Sequence, residues 1–238
     1  MSKILAIDSS TEACSVALMN DDKVYQRFQL APRKHAELLL PMVDVVMKEA
    51  DLSLVELDAL ACCVGPGAFT GLRIAVSVAQ GLAFASNLPC IAVSSLEILA
   101  ISAFKQTQAN VCISAIDARM QEVYFAVFQR ADGGEATLLG IEGVYKPLDI
   151  DIEQWNILTE SEISESEIVL IGNGWSEYEF NPSIKKLNAV QLDNQFPSAV
   201  DIMSKAEADL KSNNLLKPEK LQPIYIRNNV AKKKLTEK

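Results

Sequence analysis

Histidine is all but missing: His35 is the single one in 238 residues. With no second imidazole, multi-histidine metal sites are excluded, and His35 is the sole candidate for imidazole base chemistry. Cysteine is scarce as well. The five thiols are odd in number and contain no C-x-x-C pair, and Cys62, Cys63, Cys90 and Cys112 fall in apolar strand-like runs, so buried reduced thiols are expected. Long apolar runs are absent: the stretch Ile74 to Leu88 contains Gln80 and falls short of the ~20 residues needed to span a bilayer. The apolar run after Met1-Ser2-Lys3 is too short for a signal-peptide core, so a cytoplasmic protein without membrane contact is expected. Positive charge is in deficit, with Lys+Arg 22 against Asp+Glu 31 and a net charge of −9. Such a chain has no electrostatic footprint for nucleic acid, and any RNA in its biology is expected to be held by a partner.

What remains is rich in core-forming residues: 49% are hydrophobic and only 22% charged, enough to fill one large domain or two lobes. Short strands are predicted at Lys3–Ile7, Cys14–Met19 and Val24–Leu30, the last two joined by the hairpin turn Asn20-Asp21-Asp22-Lys23. A helix is predicted over His35–Glu49, a buried strand over Ala59–Val64, and a second helix ending near Ser86 with Thr70 as its N-cap. Cys90–Val93 reads as a strand, and Ser94-x-x-Glu97 as a capping box opening a third helix. Composition turns polar around Gln106–Asn110, which divides residues 1–106 from 107–238. The second part then restarts as the first did. An apolar strand, Val111–Ile116, ends in Asp117, and a second strand over Glu122–Gln129 turns at Asp132-Gly133-Gly134 into a third over Thr137–Tyr145. A strand over Ile168–Ile171 leads into Gly172-Asn173-Gly174. A helix capped by Ser198 follows, to about Lys211, with Ile202, Met203, Ala206 and Leu210 on one face; residues 198–211 are a candidate to pack back on the first lobe. Between Leu148 and Glu179 stand nine acids and no base, read as a solvated face; the basic Lys232-Lys233-Lys234 closes the chain.

Chemistry-bearing patterns are few. Gly65-Pro66-Gly67-Ala68-Phe69-Thr70-Gly71 is a strand–glycine loop–helix junction, where free amides and the helix dipole suit an anion. Yet Gly71 is followed by Leu72-Arg73 rather than Lys-Ser/Thr, and the dinucleotide spacing is missed by one residue. The two strand-end aspartates, Asp8 and Asp117, suit either a hydrated Mg²⁺ or a plain turn. Each is followed by a hairpin, an arrangement similar to the phosphate-binding lobes of actin-like ATPases. No G-x-S-x-G elbow is present, so Ser9, Ser10, Ser94 and Ser95 are poor nucleophile candidates. Two helices are apolar beyond what one buried face requires. Gly71, Ala75, Ala79 and Ala83 form a small-residue stripe, and Leu38, Leu39, Met42 and Val46 crowd the first helix. Such helices are either sandwiched in a core or cover a partner.

Ile4-Leu5-Ala6-Ile7-Asp8-Ser9-Ser10, Gly65 through Arg73, Asp117-Ala118-Arg119-Met120 and Pro223-x-Tyr225-x-Arg227 together resemble the bacterial TsaB (YeaZ) family. The resemblance implies an α/β, two-lobed actin-like ATPase (ASKHA, RNase H-like) fold with a reduced second lobe. It implies a non-catalytic subunit in the synthesis of threonylcarbamoyladenosine in tRNA, bound to its paralogue TsaD, which transfers the group. TsaE, an ATPase, joins the pair, and TsaC makes the activated intermediate. The catalytic paralogues hold a metal with two histidines four residues apart, H-L-E-G-H in outline, where this chain reads Ser95-Leu96-Glu97-Ile98-Leu99. No catalytic residue and no metal site are therefore expected. By the same resemblance the helices over 35–49 and 71–86 pair with TsaD, or with a second copy when alone. The candidate contact residues are His35, Leu38, Leu39, Met42, Val46, Gly71, Ala75, Val78, Ala79 and Leu82.

An actin-like ATPase or kinase with its own nucleotide site is the alternative. Its candidate residues are Asp8, Ser9, Asp117, Gly172 and Gly174, a vestigial site that would take ATP or ADP weakly or at a subunit boundary. A peptidase reading lacks both a metal site and a nucleophile–base pair.

Overall fold

Alternate residues of the first strand fill two different cores: Leu5 and Ile7 point one way, Ile4 and Ala6 the other, all fully buried. A strand buried on both faces reads as a continuous apolar run, which is why the short segment is unambiguous in sequence. The computed structural model describes residues 2–131, 135–152, 168–193 and 196–227.

The first sheet contains β1 (Lys3–Asp8), β2 (Ala13–Asn20), β3 (Lys23–Leu30), β4 (Ala59–Gly65) and β5 (Cys90–Ser94), in the order β3-β2-β1-β4-β5. The first three are an antiparallel meander; β4 and β5 continue in parallel from β1. Helix α1 (His35–Glu49) and helix α2 (Phe69–Ser86) cover one face; α3 (Ser95–Gln106) leads out of the lobe. The second sheet, β6 (Val111–Asp117), β7 (Val123–Arg130), β8 (Ala136–Tyr145), β9 (Ile168–Ile171) and β10 (Val190–Gln191), is ordered β10-β9-β6-β7-β8. Counted from its own first strand, it repeats the order and strand directions of the first sheet. The restart read from the strand–Asp–hairpin pattern is thus a duplicated topology. Among the described residues, the second lobe carries on its outer face the short helices α4 (Gly174–Glu177) and α5 (Pro182–Lys185).

Helix α3 joins the lobes. Its Ile98 packs under the first sheet, while Leu96, Leu99, Ala103 and Phe104 pack on Cys112, Ile116, Ala126 and Phe128 of the second. Helix α6 (Ile202–Ser212) lies back across the first sheet, with Ile202, Met203 and Ala206 against Ile4, Ala61 and Ile91. All five cysteines are buried and unbonded.

Several expectations are corrected. Helix α2 begins at Phe69 with Ala68, not Thr70, at the N-cap; the Ala68 N–H donates to the Ser10 carbonyl at 2.7 Å. Ser198 stands before a 3₁₀ turn (Ala199–Asp201) and its side chain caps nothing. The turn at Asp132-Gly133-Gly134, five of the nine acids (Glu153, Glu160, Glu162, Glu165, Glu167) and the tail at Lys232–Lys234 lie outside the described residues.

The largest correction concerns the pairing face. Gly71, Ala75, Ala79 and Ala83 are buried inside the subunit, where they let α2 settle closely on Leu60, Cys62 and Val64 of β4. His35, Leu39, Met42 and Val46 are buried too, so seven of the ten candidate contact residues belong to the lobe's own core. Leu38, Val78 and Leu82 are half-buried at its edge. The sequence period located a close approach correctly, but the approaching surface is a strand. Ala79→Glu would put an unpaired carboxylate into this contact, a cost of several kcal/mol. We expect this variant to unfold at markedly lower urea concentration, or not to accumulate folded, as read by circular dichroism.

Candidate functional site

The carboxyl ends of β1 and β6 face one another, and between them lies a cavity of about 230 Å³. The β1–β2 loop contributes Ser10, Thr11 and Glu12, the start of α2 contributes Gly67, Ala68 and Phe69, and the β6–β7 loop contributes Asp117, Arg119 and Met120. Asn173 and the C-terminal Ile224, Tyr225 and Arg227 complete the wall.

The β6–β7 loop has an unusual backbone. Arg119, Met120 and Gln121 all lie in the left-handed region, at φ 61°, 58° and 62°. Each such L-residue costs roughly 1–2 kcal/mol, so the loop needs outside support. Asp117 Oδ1 accepts the Arg119 N–H at 2.7 Å, and the guanidinium of Arg227 donates to the Ala118 carbonyl at 3.0 Å and pairs with Glu122. Three residues earlier, the Ile224 N–H donates to the Val64 carbonyl at 2.8 Å. Residues 224–227 therefore strap one lobe to the other across the cavity. Arg119 makes a second bridge, pairing with Glu12 of the first lobe and with Asp117 at 2.9 Å.

A magnesium nucleotide, the ligand this fold suggests, does not suit these groups. Asp8 is wholly buried behind the cavity wall; its Oδ1 accepts the Ser10 N–H at 2.9 Å, and its Oδ2, like Ser10 Oγ, has no hydrogen-bond partner among the described residues. Burial pushes the Asp8 carboxyl up, against the lowering effect of Ser10. Asp117 does line the cavity, but it is engaged by Arg119 and by the Tyr178 hydroxyl at 2.7 Å. Burial and this bond push Tyr178 up to about 12. Ser9 Oγ donates to the Gly71 carbonyl, inside the lobe. Gly172 and Gly174 are absent from the wall; a Cβ on either would meet the Ala115 backbone at 2.2 Å and 3.0 Å respectively, so these glycines serve strand packing. The five residues of the candidate nucleotide site are thus not gathered around one space.

The model of the family described as "TsaD: tRNA N6-adenosine threonylcarbamoyltransferase" matches residues 24–147. The "tRNA threonylcarbamoyladenosine biosynthesis protein TsaB" of Escherichia coli K12 is 41% identical over 98% of this chain and 98% of its own length. The Haemophilus influenzae protein of the same name is 34% identical over 98% of this chain and 96% of its own. A crystal structure from Pseudomonas aeruginosa, described as similar to peptidase YeaZ, superposes with a TM-score of 0.84 at 39% identity, covering 95% of this chain and all of that one. The chain belongs to the TsaB family. The actin-like fold expected for that family agrees with the two matched sheets.

The first turn of α3, where the family resemblance places the paralogues' histidine pair, is solid. Ser95 is fully buried and donates its hydroxyl to the Pro66 carbonyl, while Leu99 is fully buried against the second sheet. Between them is Glu97. It stands in the first turn behind the N-cap Ser94, whose Oγ accepts the Leu96 N–H at 3.2 Å rather than the Glu97 N–H that a capping box would use. It also sits among Lys205, Glu142 and Asp209, and burial, opposed by Lys205, pushes it up to about 7. Burial likewise raises Glu142, against its bond from Ser94. The sequence identified Glu97 only as a cap; nothing local signals that β8 and α6 bring two more acids to it.

A carboxyl raised on folding weakens the fold as it ionises. Below the ordinary value of 4.5 both states are protonated; between 4.5 and 7 only the unfolded chain releases the proton, so stability falls as pH rises. Glu97→Gln removes this loss. We expect it to raise stability above pH 7 by about 1–2 kcal/mol and to flatten the decline below it, measured by urea unfolding across pH.

Proposed function

We propose that this chain is a scaffold subunit in the formation of threonylcarbamoyladenosine in tRNA, pairing with the transferase TsaD and recruiting the ATPase TsaE, without chemistry of its own. TsaC supplies the activated intermediate, and tRNA is reached through the complex. The observation that carries this reading is the state of the first turn of α3, where the family resemblance places the paralogues' metal ligands: a buried hydroxyl and a buried isobutyl group. Metal-assisted transfer has no ligands to work with there.

The outward side of α1 and α2 supports the pairing. With the small stripe turned inward, α2 presents Ile74, Ser77, Val78, Gly81, Leu82 and Phe84, the last 78% exposed. On α1, Leu40 and Val45 are also exposed, at 50% and 38%. From Ile74 to Ser86 the helix carries no charge. An apolar band of this kind gains by being covered, at about 25 cal/mol per Å² less the entropy of association. When TsaD is absent, a second copy covers it.

Reconstitution with TsaC, TsaD and TsaE tests the role: omitting this subunit should abolish tRNA modification. Phe84→Glu tests the surface. The exposed ring has no part in the core, so thermal unfolding should stay unchanged while affinity for TsaD falls by about 30-fold or more, read by titration calorimetry.

A further inference from the structure

Arg73 is the one charged residue of α2, and it sits at the end of the apolar band nearest the interlobe cavity. Its guanidinium carbon lies 3.8 Å from the centre of the Phe69 ring and 5.9 Å from that of Tyr225. Its Nε donates to the Tyr225 hydroxyl at 2.9 Å. Tyr225 is in turn fixed by the neighbouring Ile224 bond to Val64. The guanidinium is therefore held in place, and among the described residues it has no carboxylate partner. The other cations around the cavity differ: Arg119 is matched by Glu12 and Asp117, and Arg227 by Glu122.

The setting is apolar as well as positive. Phe69, Met120, Ile224 and Tyr225 are 45%, 59%, 46% and 43% exposed around this one spot. Aromatic faces on one side and the first turn of an 18-residue helix nearby favour an anion on the open side. A braced, planar guanidinium with its terminal N–H groups free is preorganised for a bidentate carboxylate. No acid stands anywhere on α2; α1 carries Glu37, Asp44 and Glu49, of which Asp44 is paired with Lys48 and Glu49 with Arg27, so on the two helices of a second copy only Glu37 has no ion pair among the described residues.

We infer that Arg73 accepts a carboxylate from the protein that covers the α1–α2 face, and that this contact sets which partner is taken and in what orientation. The inference rests on the pairing reading above and adds the chemistry of the partner: an acidic side chain at the edge of an apolar helical surface. A different protein that presents a free acid at this edge is thereby favoured over a second copy, whose Asp44 and Glu49 are already paired within its own chain.

The test is the affinity of the full chain for TsaD across salt concentrations, with four variants. Arg73→Ala should weaken binding about tenfold or more and reduce its salt dependence, and Arg73→Lys should not restore it, because an ammonium cannot make the paired contact. Tyr225→Phe keeps the ring and removes only the hydroxyl; binding within about threefold of the parent would show that the loss in Arg73→Ala is that of the guanidinium. Thermal unfolding of every variant is followed in parallel. Parent-like affinity and salt slope for Arg73→Ala, while Phe84→Glu no longer binds, would overturn this inference and leave the pairing intact. Unchanged binding by Phe84→Glu would overturn the pairing itself. If Arg73→Ala instead weakens self-association and leaves TsaD binding alone, the carboxylate belongs to a second copy and the inference fails.

Discussion

A Cβ on Gly71 would stand 2.0 Å from the Ser9 carbonyl oxygen, and one on Gly67 would stand 2.2 Å from that of Ser10. The β1–β2 loop and the start of α2 are in backbone contact, and the rest of the first lobe follows from it. Because the loop carbonyl of Ser10 receives the Ala68 N–H, the helix needs no side-chain cap. Because the helix starts in contact, its next inward positions must be small, and Ala75, Ala79 and Ala83 keep it low on β4. A helix seated on its small residues has its large ones left over. Val78, Leu82 and Phe84 are thus directed to the flank and the outside by the same requirement that packs the inside.

The two lobes share a topology but divide the work differently. In the first, helices on both faces of the sheet leave no strand face open at the centre, and the outer side of α2 stays exposed. In the second, one face of the sheet is covered by α3, a helix that starts in the first, and among the described residues the other carries short helices. The cavity between them is closed by groups of opposite sign from each side, Glu12 with Arg119 and the strap of residues 224–227. On the proposed reading the cleft that a related enzyme would open and close on a ligand is here a joint.

The sequence was most legible where local rules decide. The bounds of α1, His35 to Glu49, follow from its periodicity, and β1, β2 and β6 from apolar runs ended by Asp or turn residues. Legibility failed where one residue type answers two physical demands. Gly172 and Gly174 look the same whether a phosphate or the Ala115 carbonyl approaches them. Small residues every four positions look the same whether a helix or a strand lies against them. Long-range partners were also out of reach: Arg227 and Ala118, or Glu97 with Glu142 and Asp209, meet only through the closure of the two sheets. Asp8 and Asp117 were rightly placed at matching strand ends, but what each of them bonds was settled by neighbours that sequence does not order.

The costly features of the molecule are not spread evenly. Asp8 with an unbonded buried oxygen, Glu97 raised to about 7, and three successive left-handed residues all lie where the lobes meet. Four apolar clusters in the two lobes offset these costs. In an enzyme, strain and buried charge at such a place are commonly the machinery of turnover. On the proposed reading, strain and buried charge at this place serve the joint between the lobes instead. The pairs Glu12–Arg119 and Arg227–Glu122 hold the β6–β7 loop to the first lobe and to the strap, and the strap in turn fixes Tyr225 against Arg73. The polar joint between the lobes and the apolar band on α2 are therefore one construction: loosening the first lets the second lose the orientation of its single charge.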